Sequence, residues 1–405
     1  MKLVYEKYQT NILFWLLLLA IVYVFSIAKD PTLGDSLPFT IQAYHGFTFE
    51  SNATNHFLYT NFLALVYKIL PFINPHFLFV GVSIFSGILS LFYLHKLLEL
   101  LDVSPKSSVM CIMILGLSFT FWRQSIITEV YTFYLVFVIL FLLNLFKFLK
   151  EKNIKHFYYL SFFFGALFLI HIQTILFIPL YIYLLFKNFG YLKKHIVYGG
   201  LITILLFSIL LIPVVLGYNS FISIFTDNAY QDSIFSFDTV TLVKSSVKNL
   251  GFLVYNFIFF IVFIFFGLNN KKEINYILIG IIPFLAFCIK HNISDIYVFH
   301  LVPYIFLLIL LGRGLNQFPK IYLLLPLLLP LFYFATYKTV EQTILGEGFE
   351  EEKGFKGGTR YMLFPPLNNN PDLQYFIQKY HQDSLHKKPE LKYLYPFAIE
   401  WENIK

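Results

Sequence analysis

The segment from Lys29 to His56, KDPTLGDSLPFTIQAYHGFTFESNATNH, carries the first residues of this chain that could do acid–base chemistry: Asp35 beside Gly34, then His45, Glu50 and His56. It follows an apolar run, and an ionisable side chain at the edge of a membrane span is a site candidate by default. A carboxylate there can serve as a general base once an acceptor hydroxyl comes within hydrogen-bonding reach. The competing reading is a loop or helix-cap carboxylate. Three further groups interrupt or border apolar runs: Glu129 in WRQSIITEVYTFYLVF, His171 in FLIHIQTILF and Asp295 in HNISDIYVFH. Each has a plain structural alternative. Glu129 could start a helix in the favourable field of its dipole or neutralise Arg123. His171 could bond to backbone, and Asp295 could cap the helix that follows. His291 and Asp295, with His300 beyond them, could also share a proton. Arg123, Lys290 and Arg360 are cations that could hold a phosphate, with Lys290 alternatively anchoring its helix at the interface.

The elements that must position these groups are membrane helices. The chain has 405 residues, 58% hydrophobic, 20% aromatic and 13% charged, too apolar for an ordinary soluble domain. A span needs roughly 20 apolar residues, and such runs recur from residue 10 to residue 337. The fold class is therefore an all-α polytopic membrane protein. The first run, Asn11 to Ala28, lacks a small-residue cleavage motif and is expected to remain as a span.

Orientation follows from the lysines, because short cytoplasmic loops are enriched in Lys and Arg. The tail with Lys2 and Lys7 is placed inside and the Asp35 loop outside. The next stretch, HFLYTNFLALVYKILPF, is interrupted by Asn61 and Lys68 and closed by Pro71, which predicts an amphipathic helix lying on the outer surface. With that helix flat, Lys96 and Lys106, Lys147 to Lys155, Lys187 to Lys194, Lys271 and Lys272, and Arg313 and Lys320 all fall inside. About eleven transmembrane helices are then expected. Asp35, His56, Glu129, His171 and Asp295 come to one face, with Glu129 about one turn into the fourth span and a polar outer loop, Gly217 to Asn249, carrying Asp227, Asp232 and Asp238.

Residues 1–337 form the expected transmembrane domain, and residues 338–405 a polar outer tail with an acidic cluster at Glu347 and Glu350 to Glu352. Gly357, Gly358, Pro365 and Pro366 read as turns. A segment of this size is small for a core of its own, so the tail is expected to pack back on the membrane part. Cys111 and Cys288 both lie in apolar runs and suggest neither a disulfide framework nor a thiolate metal site. The formal charge of +7 belongs to cytoplasmic loops, and no nucleic-acid partner is inferred. P-loop, dinucleotide and HExxH signatures are absent, which argues against a nucleotide-driven pump.

The order of five stretches resembles a known family: GDSLPFTIQA after the first span, HFLYTNFLALVYKILPF as the surface helix, FWRQSIITEVYTFYLVF, the histidine of FLIHIQTILFIP, and SDIYVFHLVPYIFLLILLG. Together they resemble the membrane-embedded glycosyltransferases of the GT-C superfamily, and within it the protein O-mannosyltransferase-like domain family that includes an animal transmembrane O-mannosyltransferase. The likeness runs from about residue 10 to about residue 315, with GGTRYMLFPP as a looser echo. It implies a catalytic Asp in the first outer loop, a role that falls on Asp35. It also implies a sugar donor linked to polyprenyl phosphate, transfer with inversion on the outer face, and neither metal nor other cofactor. Pro38 stands where the family carries Glu before Phe39, and SNATNH replaces a His-Pro-Pro-Gly-like stretch, leaving His56 as its substitute.

The expected activity is transfer of a hexosyl group such as mannosyl to a protein hydroxyl or an envelope glycan or lipid. Asp35 serves as base, Glu129, His171 and His56 line the site, Arg123 lies near the phosphate, and Asp295 and Tyr297 support it. The alternative is a transporter or flippase for a lipid-linked or anionic substrate, which needs polar residues through the depth of several spans. A non-catalytic subunit of an envelope-assembly complex is a third reading. The expected location is a bacterial inner membrane, N-terminus cytoplasmic and C-terminus extracytoplasmic. The sequons at Asn52 and Asn292 fall on the outer side and matter only in a eukaryotic secretory host.

Overall fold

The computed structural model describes residues 11–49, 56–225, 238–268, 273–291, 293, 295–320, 323–368, 370–371, 373–382 and 385–405. The N-terminal tail with Lys2 and Lys7, Glu50, Asp227, Asp232, Lys271, Lys272 and both sequon asparagines lie outside the described residues. Every regular element among the described residues is helical. The principal helices are α1 (Ile12–Val24), α2 (Ser36–His45), α3 (Phe57–Ile69), α4 (Pro75–Leu100), α5 (Pro105–Leu117), α6 (Phe119–Ser125), α7 (Val130–Glu151), α8 (Ile154–Phe168), α9 (Ile178–Lys187), α10 (Ile196–Phe207), α11 (Thr239–Phe257), α12 (Val262–Phe266), α13 (Glu273–Lys290) and α14 (Leu301–Leu315). They continue with α15 (Leu328–Val340), α16 (Ile344–Lys353), α17 (Gly358–Leu363), α18 (Leu373–Gln382) and α19 (Pro389–Ile404).

Among the described residues, six helices are long and apolar enough to cross a membrane, and the bent pair of α5 and α6 makes a seventh if it counts as one span. Shorter helices, α1, α8, the stretch Ile172–Lys187 and Leu325–Val340, stand where the remaining spans are expected. The stretch Ile296–Leu315 is the centre of the bundle, 94% buried over its apolar window, whereas Ile196–Val215 is 17% buried and turns most of its surface outward. Lipid tails are as apolar as leucine, so such helices associate through close backbone approach and specific hydrogen bonds. At Gly267 a β-carbon would lie 1.8 Å from the carbonyl oxygen of Leu310, and at Gly314 1.9 Å from that of Phe263. Any side chain at either position would prise α12 from α14.

Two local departures from the sequence reading bear on the site. The third span bends by 68° between Leu117 and Phe119, with neither proline nor glycine at the break. Ser118 is extended and donates its hydroxyl to Leu115. The backbone N–H groups released at the start of α6 are taken up by side chains, Phe119 by the Tyr333 hydroxyl at 3.0 Å and Thr120 by Asn256 Oδ1 at 2.8 Å. Such a break is tolerated at membrane depth only where its backbone groups are satisfied in this way. Residues 126–129 are not helical, and α7 begins at Val130. Glu129 thus stands at the mouth of the helix and not one turn within it. The eighth apolar helix begins at Thr239, inside the expected outer loop, because the Asp238 carboxylate accepts from the N–H groups of Val240 and Thr241.

Phe355 and helices α18 and α19 pack with the segment that holds Asp35. Leu33, Leu37 and Ile41 form one small core with Phe355, Phe376, Leu391, Leu394, Ala398 and Trp401. Neither partner has an apolar face large enough to stand alone.

Candidate active site

Asp35, Glu129 and Asp295 each occupy the residue just before a helical segment, respectively α2, α7 and the 3-10 turn Ile296–His300 that runs into α14. None of the three closes a side-chain capping hydrogen bond at the usual position, while Glu129 stands at a helix start, as its dipole reading has it, and bonds to Val130 N–H. They lie close enough that Asp35 feels the charge of Asp295 and Glu129 feels both. Residues separated by more than two hundred positions are thereby brought to one site. Each sits at a helix N-terminus, where partial positive charge offsets some of the mutual repulsion.

Asp35 and Asp295 keep solvent-reached surface, yet protein surrounds both deeply enough to raise their pKa values. That combination describes a recess open to water. Burial, and then the neighbouring Asp295 charge, pushes the Asp35 carboxyl up to about 6, with Lys356 pulling the other way and Glu390 adding to the rise. Burial also raises Asp295, opposed by Lys356 and Lys248. Glu129 is 9% exposed, its Oε2 has no partner, and burial followed by the charges of Asp35 and Asp295 holds its carboxyl well above the usual range. The two carboxyls are thus raised to different extents by burial and by one another's charge, the kind of separation that divides an acid from a base.

The cation facing this recess was missed in the sequence. Lys356 comes from the tail, its side chain 10% exposed, its ammonium 3.6 Å from Glu390 and seated between the rings of Phe355 and Tyr361. It immediately precedes Gly357 and Gly358, both in left-handed backbone conformations at φ 112° and 55°. A β-carbon at Gly358 would meet the Glu350 carboxylate at 2.0 Å, the group that accepts from Thr359 N–H at the start of α17. The glycine pair was the available signal, read only as a turn.

Arg123 faces the tail. It is 3% exposed, its Nη2 donates to the carbonyls of Tyr361 and Phe364, and its guanidinium lies over the rings of Phe119 and Tyr361. Tyr297 links the two regions, within the electrostatic reach of Arg123 on one side and of Asp295 and Glu129 on the other. Arg360 donates to Asn368.

His56 and His171 form a buried pair with ring centroids 4.7 Å apart. His171 Nδ1 accepts from Gln173 N–H at 3.0 Å, which places any ring proton on Nε2, and His56 Nδ1 lies 2.9 Å from the Ile170 carbonyl. Burial lowers the pKa of both, that of His56 to about 4, so the pair is neutral. Tyr131, two residues after Glu129, lies against His171 with ring centroids 5.6 Å apart and planes tilted by 44°, making the histidines a wall beside the carboxylates. Outside the site, His45 pairs with Glu400, and His291 and His300 stand among aromatic rings. Asp30, the other acid of the first loop, is consumed by Trp401 Nε1 at 2.9 Å and Leu373 N–H at 3.2 Å.

No protein-family model matches the sequence, and no curated protein sequence matches it. Two solved structures share its fold: ArnT from Cupriavidus metallidurans bound to undecaprenyl phosphate, and the same protein in the apo state. Each aligns with a TM-score of 0.60 at 12% identity, covering 96% of this chain and 74% of ArnT. The chain therefore has the fold of ArnT, in keeping with the GT-C architecture that its motif order resembles.

Proposed function

We propose that this chain is an integral-membrane glycosyltransferase that moves a sugar from a polyprenyl-phosphate donor to an acceptor hydroxyl, with inversion at the anomeric carbon. The observation that carries the proposal is the convergence of Asp35, Glu129 and Asp295, none of them closing a side-chain capping hydrogen bond at the usual position. The fold likeness to ArnT, which was crystallised with undecaprenyl phosphate, supports a lipid-linked donor. In this reading ionised Asp35 accepts the acceptor's proton while the acceptor oxygen attacks the anomeric carbon. The carbon–oxygen bond to phosphate breaks, and the polyprenyl phosphate departs with the electron pair. Lys356 meets the charge that develops on that phosphate. Protonated Glu129 donates a hydrogen bond within the site, Asp295 and Tyr297 hold its floor, and the His56–His171 pair shapes its wall. Arg123 acts by fixing Tyr361 to Phe364, the segment that follows Lys356.

The same proposal includes eleven spans with α3 on the outer surface, residues 338–405 as an extracytoplasmic tail, a bacterial inner-membrane location, and a protein or envelope-glycan acceptor for a hexosyl group such as mannosyl. The likeness to the O-mannosyltransferase-like family rests on motif order alone. The decisive experiment measures transfer from radiolabelled polyprenyl-phosphate sugars in membranes holding wild type or Asp35→Asn at equal expression. Loss of transfer in the variant supports the reading, and unchanged transfer removes Asp35 from it. Movement of labelled lipid across vesicles without any transfer would favour a flippase instead.

A further inference from the structure

A base at the mouth of a recess must be held to within a fraction of an ångström of its working position, yet Asp35 is tied to the helix it precedes only through its carbonyl, which accepts from Phe39 N–H at 3.0 Å, and its side chain closes no capping bond. The position of the whole segment is set by further contacts. The Asp30 carboxylate, 6% exposed, accepts from Trp401 Nε1 at 2.9 Å and from Leu373 N–H at 3.2 Å, with Lys405 Nζ at 3.5 Å. At the far end of α2, His45 Nε2 lies 2.5 Å from Glu400. Between these points Leu33, Leu37 and Ile41 bury themselves with Leu391, Leu394, Ala398 and Trp401, and the Trp401 ring is 1% exposed. From α4, His76 Nε2 reaches the Ala28 carbonyl at 2.9 Å and fixes the start of the same segment. The first turn of α19 also carries Glu390, the partner of Lys356. One helix therefore touches both flanks of the proposed base and the cation beside it.

We infer that α19 is the element that positions Asp35, with Asp30 and Trp401 as positioning residues that set the base through the segment between them. The inference rests on the transferase reading above. A buried indole joined to a buried carboxylate is also a good structural staple, so the two roles must be told apart. A staple alone changes stability. A positioning contact changes the chemical step and the environment of Asp35, whose charged neighbours are Asp295 and Glu129 from the membrane helices and Lys356 and Glu390 from the tail.

The test uses the full chain in nanodiscs, with radiolabelled polyprenyl-phosphate sugar as donor, and compares wild type, Asp35→Asn, Trp401→Phe and Glu400→Gln. Trp401→Phe keeps an aromatic ring and removes the N–H donor to Asp30 together with part of the buried indole volume, so its effect on stability is measured beside the kinetics. The expected result is a kcat at least tenfold lower, in line with the roughly hundredfold cost of a 1 Å misplacement. The donor KM stays within about twofold, and the acid limb of the pH–rate profile falls below its wild-type position near 6 as water enters beside Asp35. A kcat within about twofold of wild type, or a reduced kcat with an unmoved acid limb, overturns the inference. If Trp401→Phe does not fold, Glu400→Gln at the exposed His45 contact decides by the same two readouts, with an expected loss in kcat of about threefold. Absence of transfer by the wild type would sink the transferase reading itself, and full activity of Asp35→Asn would remove Asp35 from the mechanism and the positioning role with it. An inactive Asp35→Asn beside a fully active Trp401→Phe would sink only the positioning role.

Discussion

Transfer by the wild-type chain is expected to fall about tenfold between pH 7 and pH 5, and the size of the fall follows from one residue. Asp35 works as a base only when ionised, and its carboxyl is held at about 6 by burial and by Asp295. It is therefore about nine-tenths ionised at pH 7 and about one-tenth ionised at pH 5, and the rate follows that fraction. An aspartate at its ordinary value near 3.8 would lose less than about a tenth of its rate over the same interval. The assay is the initial rate at saturating donor across pH 4.5 to 8, with samples returned to pH 7 to confirm that activity recovers. An acid limb at or below about pH 4.5, or a flat profile, would refute the placement of Asp35 in an acid-rich recess. The same shift has a consequence for stability. A carboxyl whose pKa is raised by folding binds more protons in the native state, so its contribution turns unfavourable as pH rises from 3.8 toward 6 and stays so above. Asp35→Asn is thus expected to be inactive at pH 7 and at the same time more heat-resistant than wild type.

Glu129→Gln is expected to be far milder than Asp35→Asn, because a carboxyl pushed toward its neutral form by burial and by the Asp35 and Asp295 charges is well mimicked by an amide; parallel transfer assays at pH 7 check this, and equal losses would contradict it. Removing the negative charge of Glu390 with Glu390→Gln is expected to move the acid limb downward, since Glu390 adds to the rise at Asp35; the pH–rate profile measures the direction. Lys356→Ala is expected to lower kcat/KM roughly tenfold to a hundredfold, with kcat falling, the range that follows from about 1.5 to 3 kcal/mol for a hydrogen bond to a charged group, and with Lys356→Arg recovering part of the loss. Asn256→Leu leaves the Thr120 N–H buried without an acceptor and is expected to cost about 1 to 3 kcal/mol, read as a lower unfolding midpoint in detergent micelles.

Much of this site was legible in sequence because membrane helices are long, apolar and punctuated by lysine. Once orientation was set, Asp35, Glu129, His171 and Asp295 fell on one face, and the structure does bring Asp35, Glu129 and Asp295 within reach of one another's charge. What stayed hidden depends on contacts across long separations. Arg123 looked like a phosphate ligand because its partners are backbone carbonyls 238 and 241 positions away, and carbonyls leave no mark in sequence. Lys356 was one lysine among many in a polar tail, and only the folding of that tail over α2 gives it meaning. Asp30 and Asp35 could not be ranked by type. The indole of Trp401 separates them, leaving Asp30 bound and Asp35 open to the candidate site.

The bend at Ser118 also sets an order of events in biosynthesis. Membrane helices enter the bilayer in chain order, yet the two groups that satisfy this break, Asn256 and Tyr333, lie 136 and 214 positions downstream. Until they arrive, α6 has exposed N–H groups that hydrocarbon cannot solvate, and the half-helix has reason to remain straight or at the bilayer surface. Arg123 and the turn leading to Glu129 ride on that same half-helix. An early part of the candidate recess is therefore completed by much later ones, and a chain arrested before Tyr333 holds Asp35, Glu129 and Asp295 without the contacts that fix the bend ahead of Glu129.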